Sequence, residues 1–309
     1  MTDLNTQELR EKHYNATVVS IREVNPELRI FRIKPDSGVP KHIPGQYGTL
    51  GMGNWEQRVE GAQEESLEAT KLKRVVKRAY SLSHPILGDK DDLFDPTGKD
   101  WVEVYIVLVL EASKEKPPAL TPRLFTLTEG DRVFMGEKIT GHYTLEPVKP
   151  DDTVIFLSTG TGEAPHNYMT WSLLCNGHRG KILGACCVRY NRDLGYMETQ
   201  EKLMARYPNY HYIPLTTREN PDQKKVYIQD LIQSGTIEEK LSCSLDPETT
   251  HVYLCGNPKM IGVPEVDKET GESRYPKDLG VVEILERKGF HRDNRAAKIH
   301  GSIHFEEYW

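Results

Sequence analysis

Two regimes of apolar spacing divide the chain. In the first half, apolar and β-branched residues fall in short runs at strand spacing: HYNATVVSI, ELRIFRI and the valine-rich WVEVYIVLVL (Trp101–Leu110). Turn-forming stretches (NPE, PDSG, PGQYG, DPTGKD, TEGD) separate these runs. Short strands, regular turns and few helical periods predict a small antiparallel barrel. Residues 54–76 and 86–100 are polar, charged and poor in apolar positions, and read as loop insertions.

The second half alternates. DTVIFLSTG reads as a buried strand and APHNYMTWSLLC as a helix; KILGACCVRY and YMETQEKLMARY repeat the pair. YHYIPLTTR, VYIQDLIQSG, THVYLCGNP and DLGVVEILERKGF continue it. Strands separated by helices mean βαβ units and a parallel sheet. PVKPDD, from Pro147, is the natural break, so the expected domains are residues 1–149 and 150–309, barrel first and nucleotide-type sheet second. Residues 263–278 are a polar excursion before the last helix and read as a mobile loop.

At 309 residues the chain is long enough for each domain to bury its own core. No apolar run approaches the ~20 residues of a membrane span, and the opening MTDLNTQELREK lacks the hydrophobic region of a secretion signal, so a cytoplasmic protein is expected. The five cysteines form neither an iron–sulfur grouping nor a paired CxxC zinc site. Electrons handled by this chain therefore travel on a bound organic cofactor or an external partner, and no metal is expected. A net charge of −6 argues against nucleic acid as a partner. Charge is locally uneven: KLKRVVKR (Lys71–Arg78) is basic and follows the acidic EQRVEGAQEESLE.

Four stretches carry candidate chemistry, each with a structural reading beside it. In LSTGTGEAPH, Gly160 and Gly162 flank Thr161 between a strand and a helix, where a backbone can approach a ligand and a helix N-terminus favours anions. A tight turn needing glycine for its own geometry explains the same residues. CGNPKM (Cys255–Met260) ends a predicted parallel strand, the edge where ligands gather; a buried structural cysteine is the alternative. Arg189 and Arg218 lie just past two strand ends, with Lys224 and Lys225 following, and together they would grip a 2′-phosphate. An acid at the end of the second strand would instead favour NAD, so Arg189 points to NADP. In RAYS, Arg78 can pair with a pyrophosphate, Tyr80 can lie against a flat ring and Ser81 can bond its edge. Plain strand alternation would set Arg78 and Tyr80 on one face, Ala79 and Ser81 on the other.

In order, RAYS, VYIV, ALTPRL, GTG followed closely by APH, VRY, TTRE, CGNPKM and a terminal EEYW make the chain resemble the ferredoxin–NADP⁺ reductase family. It is most similar to the bacterial ferredoxin/flavodoxin–NADP⁺ reductases, whose chains end in an aromatic, as this one does in YW. The resemblance runs from about residue 14 to Trp309, apart from the insertions. It implies a fold of class α/β plus β: an N-terminal antiparallel FAD-binding β-barrel followed by a parallel-sheet α/β NADP-binding domain.

By that resemblance Arg78, Ala79, Tyr80 and Ser81 would hold FAD, with Arg78 on the pyrophosphate and Ser81 near the flavin N5. Tyr105, Ile106 and Val107 would line the FAD, and Ala119, Leu120 and Thr121 would receive its pyrophosphate. Thr161 would sit near the flavin and nicotinamide. Val188, Arg189, Thr217 and Arg218 would bind the adenosine end of NADP, with Lys225 and Tyr227 beside them. Cys255 and Gly256 would flank the nicotinamide, and Tyr308 and Trp309 would close over FAD. Ser81, Cys255 and Glu306 would shape the hydride contact.

The implied activity is electron exchange between NADP(H) and ferredoxin or flavodoxin through one FAD, by a monomer. Lys71, Lys73, Arg74 and Lys77 would form a docking face for an acidic partner, or only a solvated loop. Two other readings remain: a flavin reductase serving an oxygenase component or haem protein, and a non-catalytic nucleotide sensor. Three departures from the family's pattern stand out. Glu163 replaces an apolar residue, placing a carboxylate beside the hydride path. A third phosphate-binding arginine is replaced around Val226 and Tyr227, and the insertions at 54–76 and 263–278 have no counterpart.

Overall fold

The computed structural model describes residues 5–113, 115–267, 272–294, 297 and 299–308. These form two compact units: the chain up to His84 with Asp95–His142, and Pro85–Phe94 with Tyr143 onward.

The first unit is a closed barrel of six strands: β1 (Ala16–Asn25), β2 (Leu28–Pro35), β3 (Tyr47–Gly53), β4 (Val75–Ser83), β5 (Val102–Val107) and β6 (Arg132–Met135), in the order β1-β2-β5-β4-β3-β6. All its pairings are antiparallel. Phe31, Ile33, Leu50, Met52, Val104 and Val133 are among its buried residues. WVEVYIVLVL stops being strand at Val107, because the next residues leave β2 and run toward α2 (Thr121–Leu124).

Helix α1 (Thr6–His13) has no buried residue, which is why no apolar period announced it. It is fixed by polar contacts: Asn5 caps it, and Arg10 Nη2 and Tyr14 OH both donate to Glu56, at 2.6 and 2.9 Å.

The 54–76 segment contains no strand before β4 but is tied down by polar contacts. Val59 N donates to Pro122 O, Gln63 N to Leu110 O, and Arg58 to the carbonyls of Gln63 and Pro118. At the centre of these contacts Arg123 donates to Glu65 at 2.6 Å, the two side chains 2 % and 7 % exposed. The insertion is thus a strap bonded to α2 and to the residues just before it.

The second unit is a five-stranded parallel sheet built from β7 (Thr153–Thr159), β8 (Ile182–Val188), β9 (Tyr210–Thr216), β10 (Thr250–Gly256) and β13 (Ile303–Glu307), ordered β13-β10-β7-β8-β9. β8 and β10 are buried at every residue, as expected when helices cover both faces. Around the sheet lie α3 (Glu163–Cys175), α4 (Met197–Arg206), α5 (Ile228–Gln233), α6 (Thr236–Leu241), α7 (Pro258–Ile261) and α8 (Val281–Arg287). β11 (Glu265–Val266) and β12 (Ser273–Arg274) pair antiparallel, so part of the excursion read as a loop is a short hairpin; Lys268–Gly271 lie outside the described residues.

Two details go beyond the sequence pattern. Of residues 86–100, read as an insertion in the barrel half, those up to Phe94 belong with Pro85 to the sheet unit: Ile86 joins its core, and Phe94 O accepts from Trp171 Nε1 at 3.0 Å. β13 packs Ile303 and Phe305 into the core of the sheet unit, and a chain of polar side chains also holds it. His304 contacts Asp293 at 2.9 Å and His251 at 3.1 Å, and His251 lies 3.3 Å from Asp152.

Candidate active site

The strand order reverses between β7 and β10, and ligands in open α/β sheets bind beyond the carboxyl ends of strands at such a switch point. Both glycine stretches lie there. The GTG segment forms a single 3₁₀ turn leading into α3, whose start has no side-chain cap, and CGNP leaves β10. Their backbones interlock. A Cβ on Gly162 would meet Cys255 O at 2.3 Å; one on Gly256, at φ +123°, would meet Thr159 Oγ1 at 2.3 Å. Asn257 N donates to that same Oγ1 at 2.8 Å, making Thr159 a stitch between the two strand ends. No sequence signal distinguished Thr159 from its neighbours.

Outward, the turn is open: nothing lies within 4 Å of a Cβ built on Gly160. Thr161, at the apex, is half-buried. Cys255 is fully buried, and burial pushes its thiol well above the ordinary range, so it serves as packing rather than as a nucleophile. The structure brings Tyr308 to this place: its N–H donates to Gly256 O at 3.0 Å, and its side chain hydrogen-bonds Cys255. Glu306 lies level with Cys255 on the adjacent strand. Trp309 lies outside the described residues.

Across the same edge, Arg218 N donates to Arg189 O at 2.9 Å and Thr217 N to Val188 O at 3.1 Å, so the two arginines leave their strand ends together. Both are exposed, and neither has a carboxylate partner among the described residues, as a site for a phosphomonoester requires. Lys225 and Tyr227 are exposed on the stretch entering α5.

One expectation is corrected outright. The Glu163 side chain does not line the open edge. It turns inward, 3 % exposed, and accepts from Tyr212 OH and Gln200 Nε2. Tyr212 and Gln200 are neighbours that only the folded topology supplies.

In the barrel, β4 does not alternate as its sequence suggests. Arg78 and Ala79 are both exposed, Tyr80 is half-buried, and everything from Ser81 on is buried, because the strand passes from an open end into its pairing with β5. Ser81 lies opposite Tyr47, and Tyr80 opposite Gly48. Among the described residues the Arg78 guanidinium donates only to the Lys77 carbonyl. Tyr105 and Ile106 are buried, whereas Val107 is exposed. The N–H groups of Ala119, Leu120 and Thr121 have no protein acceptor among the described residues, while Thr121 Oγ1 accepts from Val109 N.

Of the lysines and arginine expected to form a docking face, Lys71 pairs with Glu68 at 3.5 Å and Lys77 sits 3.6 Å over the Phe134 ring, while Lys73 and Arg74 have no ion pair among the described residues.

Residues 156–265 match the family described as oxidoreductase NAD-binding domain, which makes the sheet unit that of a pyridine-nucleotide oxidoreductase. The chain is 30 % identical to the flavodoxin/ferredoxin–NADP reductase of Escherichia coli (strain K12) over 190 residues, 60 % of this chain and 69 % of that one. It is 27 % identical over 239 residues to the protein of the same description from Buchnera aphidicola subsp. Schizaphis graminum, covering 77 % and 79 %. The chain belongs to the flavodoxin/ferredoxin–NADP reductase family. In fold it is similar to the crystal structure of a ferredoxin NADP⁺ reductase from Neisseria gonorrhoeae with bound FAD and NADP, with TM-score 0.67, 22 % identity and coverage of 96 % and 99 %.

Proposed function

We propose that this reductase carries FAD on its barrel unit, binds NADP(H) on its sheet unit, and exchanges electrons between NADP(H) and a ferredoxin or flavodoxin. The observation that carries this is the pair of interlocked glycine turns at the switch point, open outward at Gly160. FAD, when bound, supplies the ability to take a hydride as a pair and release electrons singly.

The residues present fit both groups. The unaccepted N–H groups of Ala119, Leu120 and Thr121 and the uncommitted Arg78 guanidinium suit a pyrophosphate. Tyr80 and exposed Val107 suit a flat ring, with Ser81 as a bond to its edge. Gly256 and Thr161 receive the nicotinamide end, Cys255 packs beneath it, and Tyr308 is held at the same edge with Glu306 beside it. Val188 and Thr217 with Arg189 and Arg218 hold the adenosine end, and Lys225 with Tyr227 borders it. Trp309 belongs to the same proposal as the residue that closes over the flavin. The chain's own work is to orient and to exclude water. Among the described residues no helix is long and apolar enough to cross a membrane, and the proposal includes a cytoplasmic monomer.

Arg189→Ala and Arg218→Ala are expected to raise KM for NADPH roughly 10- to 100-fold each, the loss of charge-assisted bonds at about 1.5–3 kcal/mol, and to leave NADH turnover unchanged. Steady-state kinetics with both nucleotides checks this; unchanged NADPH kinetics in both variants removes the NADP assignment. Electron transfer to flavodoxin is expected to slow as ionic strength rises, and more weakly in a Lys73→Ala/Arg74→Ala variant. A salt-independent rate would rule out that docking face.

A further inference from the structure

Glu163 opens α3 directly after the GTG turn, yet its carboxyl lies in the interior, where three elements meet it. From β9, Tyr212 OH donates to Oε1 at 2.7 Å; from α4, Gln200 Nε2 donates to the same oxygen at 3.0 Å. From β8, Cys186 lies beside the carboxyl, its Sγ also 3.7 Å from the Gly160 carbonyl of the turn. Behind them Tyr210 OH donates to Gln200 Oε1 at 2.5 Å, and Gln200 donates to Asn167 Oδ1 at 3.0 Å.

The titratable groups around Glu163 are Tyr210 and Tyr212 on β9, Cys186 on β8 and His166 on α3; α4 offers only Gln200, and β7 only Ser158. No lysine or arginine lines the adjoining cavity. Its volume is about 10 Å³, room for roughly one water, and it is bordered by Asn167 Nδ2 and His166 Nδ1, both buried without a partner. The carboxylate is therefore surrounded by donors and has no countercharge. Burial pushes its proton affinity up to about 7, so Glu163 changes charge in the neutral range.

We propose that Glu163 is a positioning and charge-sensing residue of the NADP(H) site: it ties the GTG turn to β8 and β9, and it takes up a proton when an anionic dinucleotide occupies that turn. The inference rests on the NADP(H) reading above. β8 and β9 are the strands whose ends carry Arg189 and Arg218, so one carboxyl joins the turn assigned to the nicotinamide to the arginines assigned to the adenosine phosphate. The dinucleotide carries a net negative charge, and binding it adds that charge to a unit whose buried carboxylate has donors but no countercharge. The carboxylate, poised near neutrality, is the group that accepts a proton from solvent. Affinity for NADP(H) then falls as pH rises through neutrality.

The test is calorimetric titration of the FAD-loaded protein with NADP⁺ at pH 7.5, in phosphate and in Tris, whose differing ionisation heats report protons exchanged. Wild type is expected to take up roughly half to three-quarters of a proton per NADP⁺ bound, and Glu163→Gln to lose that uptake while still binding. Titration of the 2′-phosphate is common to both proteins and cancels in the difference. Tyr212→Phe, which removes a donor to the ionised form, should move the half-maximal uptake to higher pH. The pH dependence of KM for NADPH should flatten in Glu163→Gln. Equal proton numbers in wild type and Glu163→Gln overturn the inference while the cofactor assignment stands; no NADP⁺ binding by wild type overturns both.

Discussion

Arg123→Leu should lower the unfolding free energy of the barrel unit by about 3–5 kcal/mol, the usual effect of leaving a buried charge without its partner. Arg123 is 2 % exposed and makes three contacts: Glu65 at 2.6 Å, Ala119 O at 2.5 Å and Asn54 O at 3.1 Å. Among the described residues, leucine leaves the Glu65 carboxylate, 7 % exposed, with only Arg58 Nε at 4.0 Å. That remaining contact places the expectation toward the lower end of the range. The loss reaches further than stability, because Ala119 opens the segment whose free N–H groups are assigned to the FAD pyrophosphate. Flavin should therefore dissociate at lower urea concentrations than in wild type. Urea titration followed by near-ultraviolet circular dichroism and by free-flavin fluorescence measures both effects. The paired variant Arg123→Met/Glu65→Leu, which removes both charges, should recover most of the stability. If Arg123→Leu unfolds at the wild-type midpoint, the strap does not hold this segment.

How much of this was legible in the sequence depended on what each element buries. ILGACCV and THVYLCG are apolar runs buried along their whole length, and that pattern has one common explanation, a parallel strand covered on both faces. Helix α1 buries nothing and has no period to detect, while β13 (IHFEE) offers only two alternating apolar residues, Ile303 and Phe305, too few to stand out beside its polar positions. The strap is the same case: Arg58, Gln63 and Glu65 read as a solvated insertion, and only the fold supplies the carbonyls and the arginine that meet them. At the switch point, Gly162 and Gly256 were legible because a close backbone approach admits few residue types. Glu163 was legible as an oddity but not in direction. A residue at the first position of a helix can face the open edge or the interior, and Tyr212 and Gln200, 49 and 37 positions away in sequence, settle the choice.

Glu163 also sets an expected pH dependence of stability. Its folded-state proton affinity is raised, from the ordinary 4.5 to about 7, with burial as the largest cause and the donors of Tyr212, Gln200 and Cys186 opposing it. The folded protein therefore binds this proton more tightly than the unfolded chain. The resulting stability is fully present below pH 4.5 and is lost as pH rises through about 7. Between pH 5 and pH 8 the loss is expected to be about 2–3 kcal/mol. Other groups titrate over the same interval, including His251, whose affinity burial lowers, so the quantity to measure is the difference from Glu163→Gln. That variant is neutral throughout and keeps an oxygen for Tyr212 and Gln200. Relative to wild type it should gain about the stated amount between pH 5 and pH 8. Parallel profiles for the two proteins would mean that the carboxylate is stabilised in its ionised form after all. A carboxylate that destabilises the fold at neutral pH is expected where it serves a site, and the pH at which its stability contribution fades is the pH at which NADP(H) affinity should weaken.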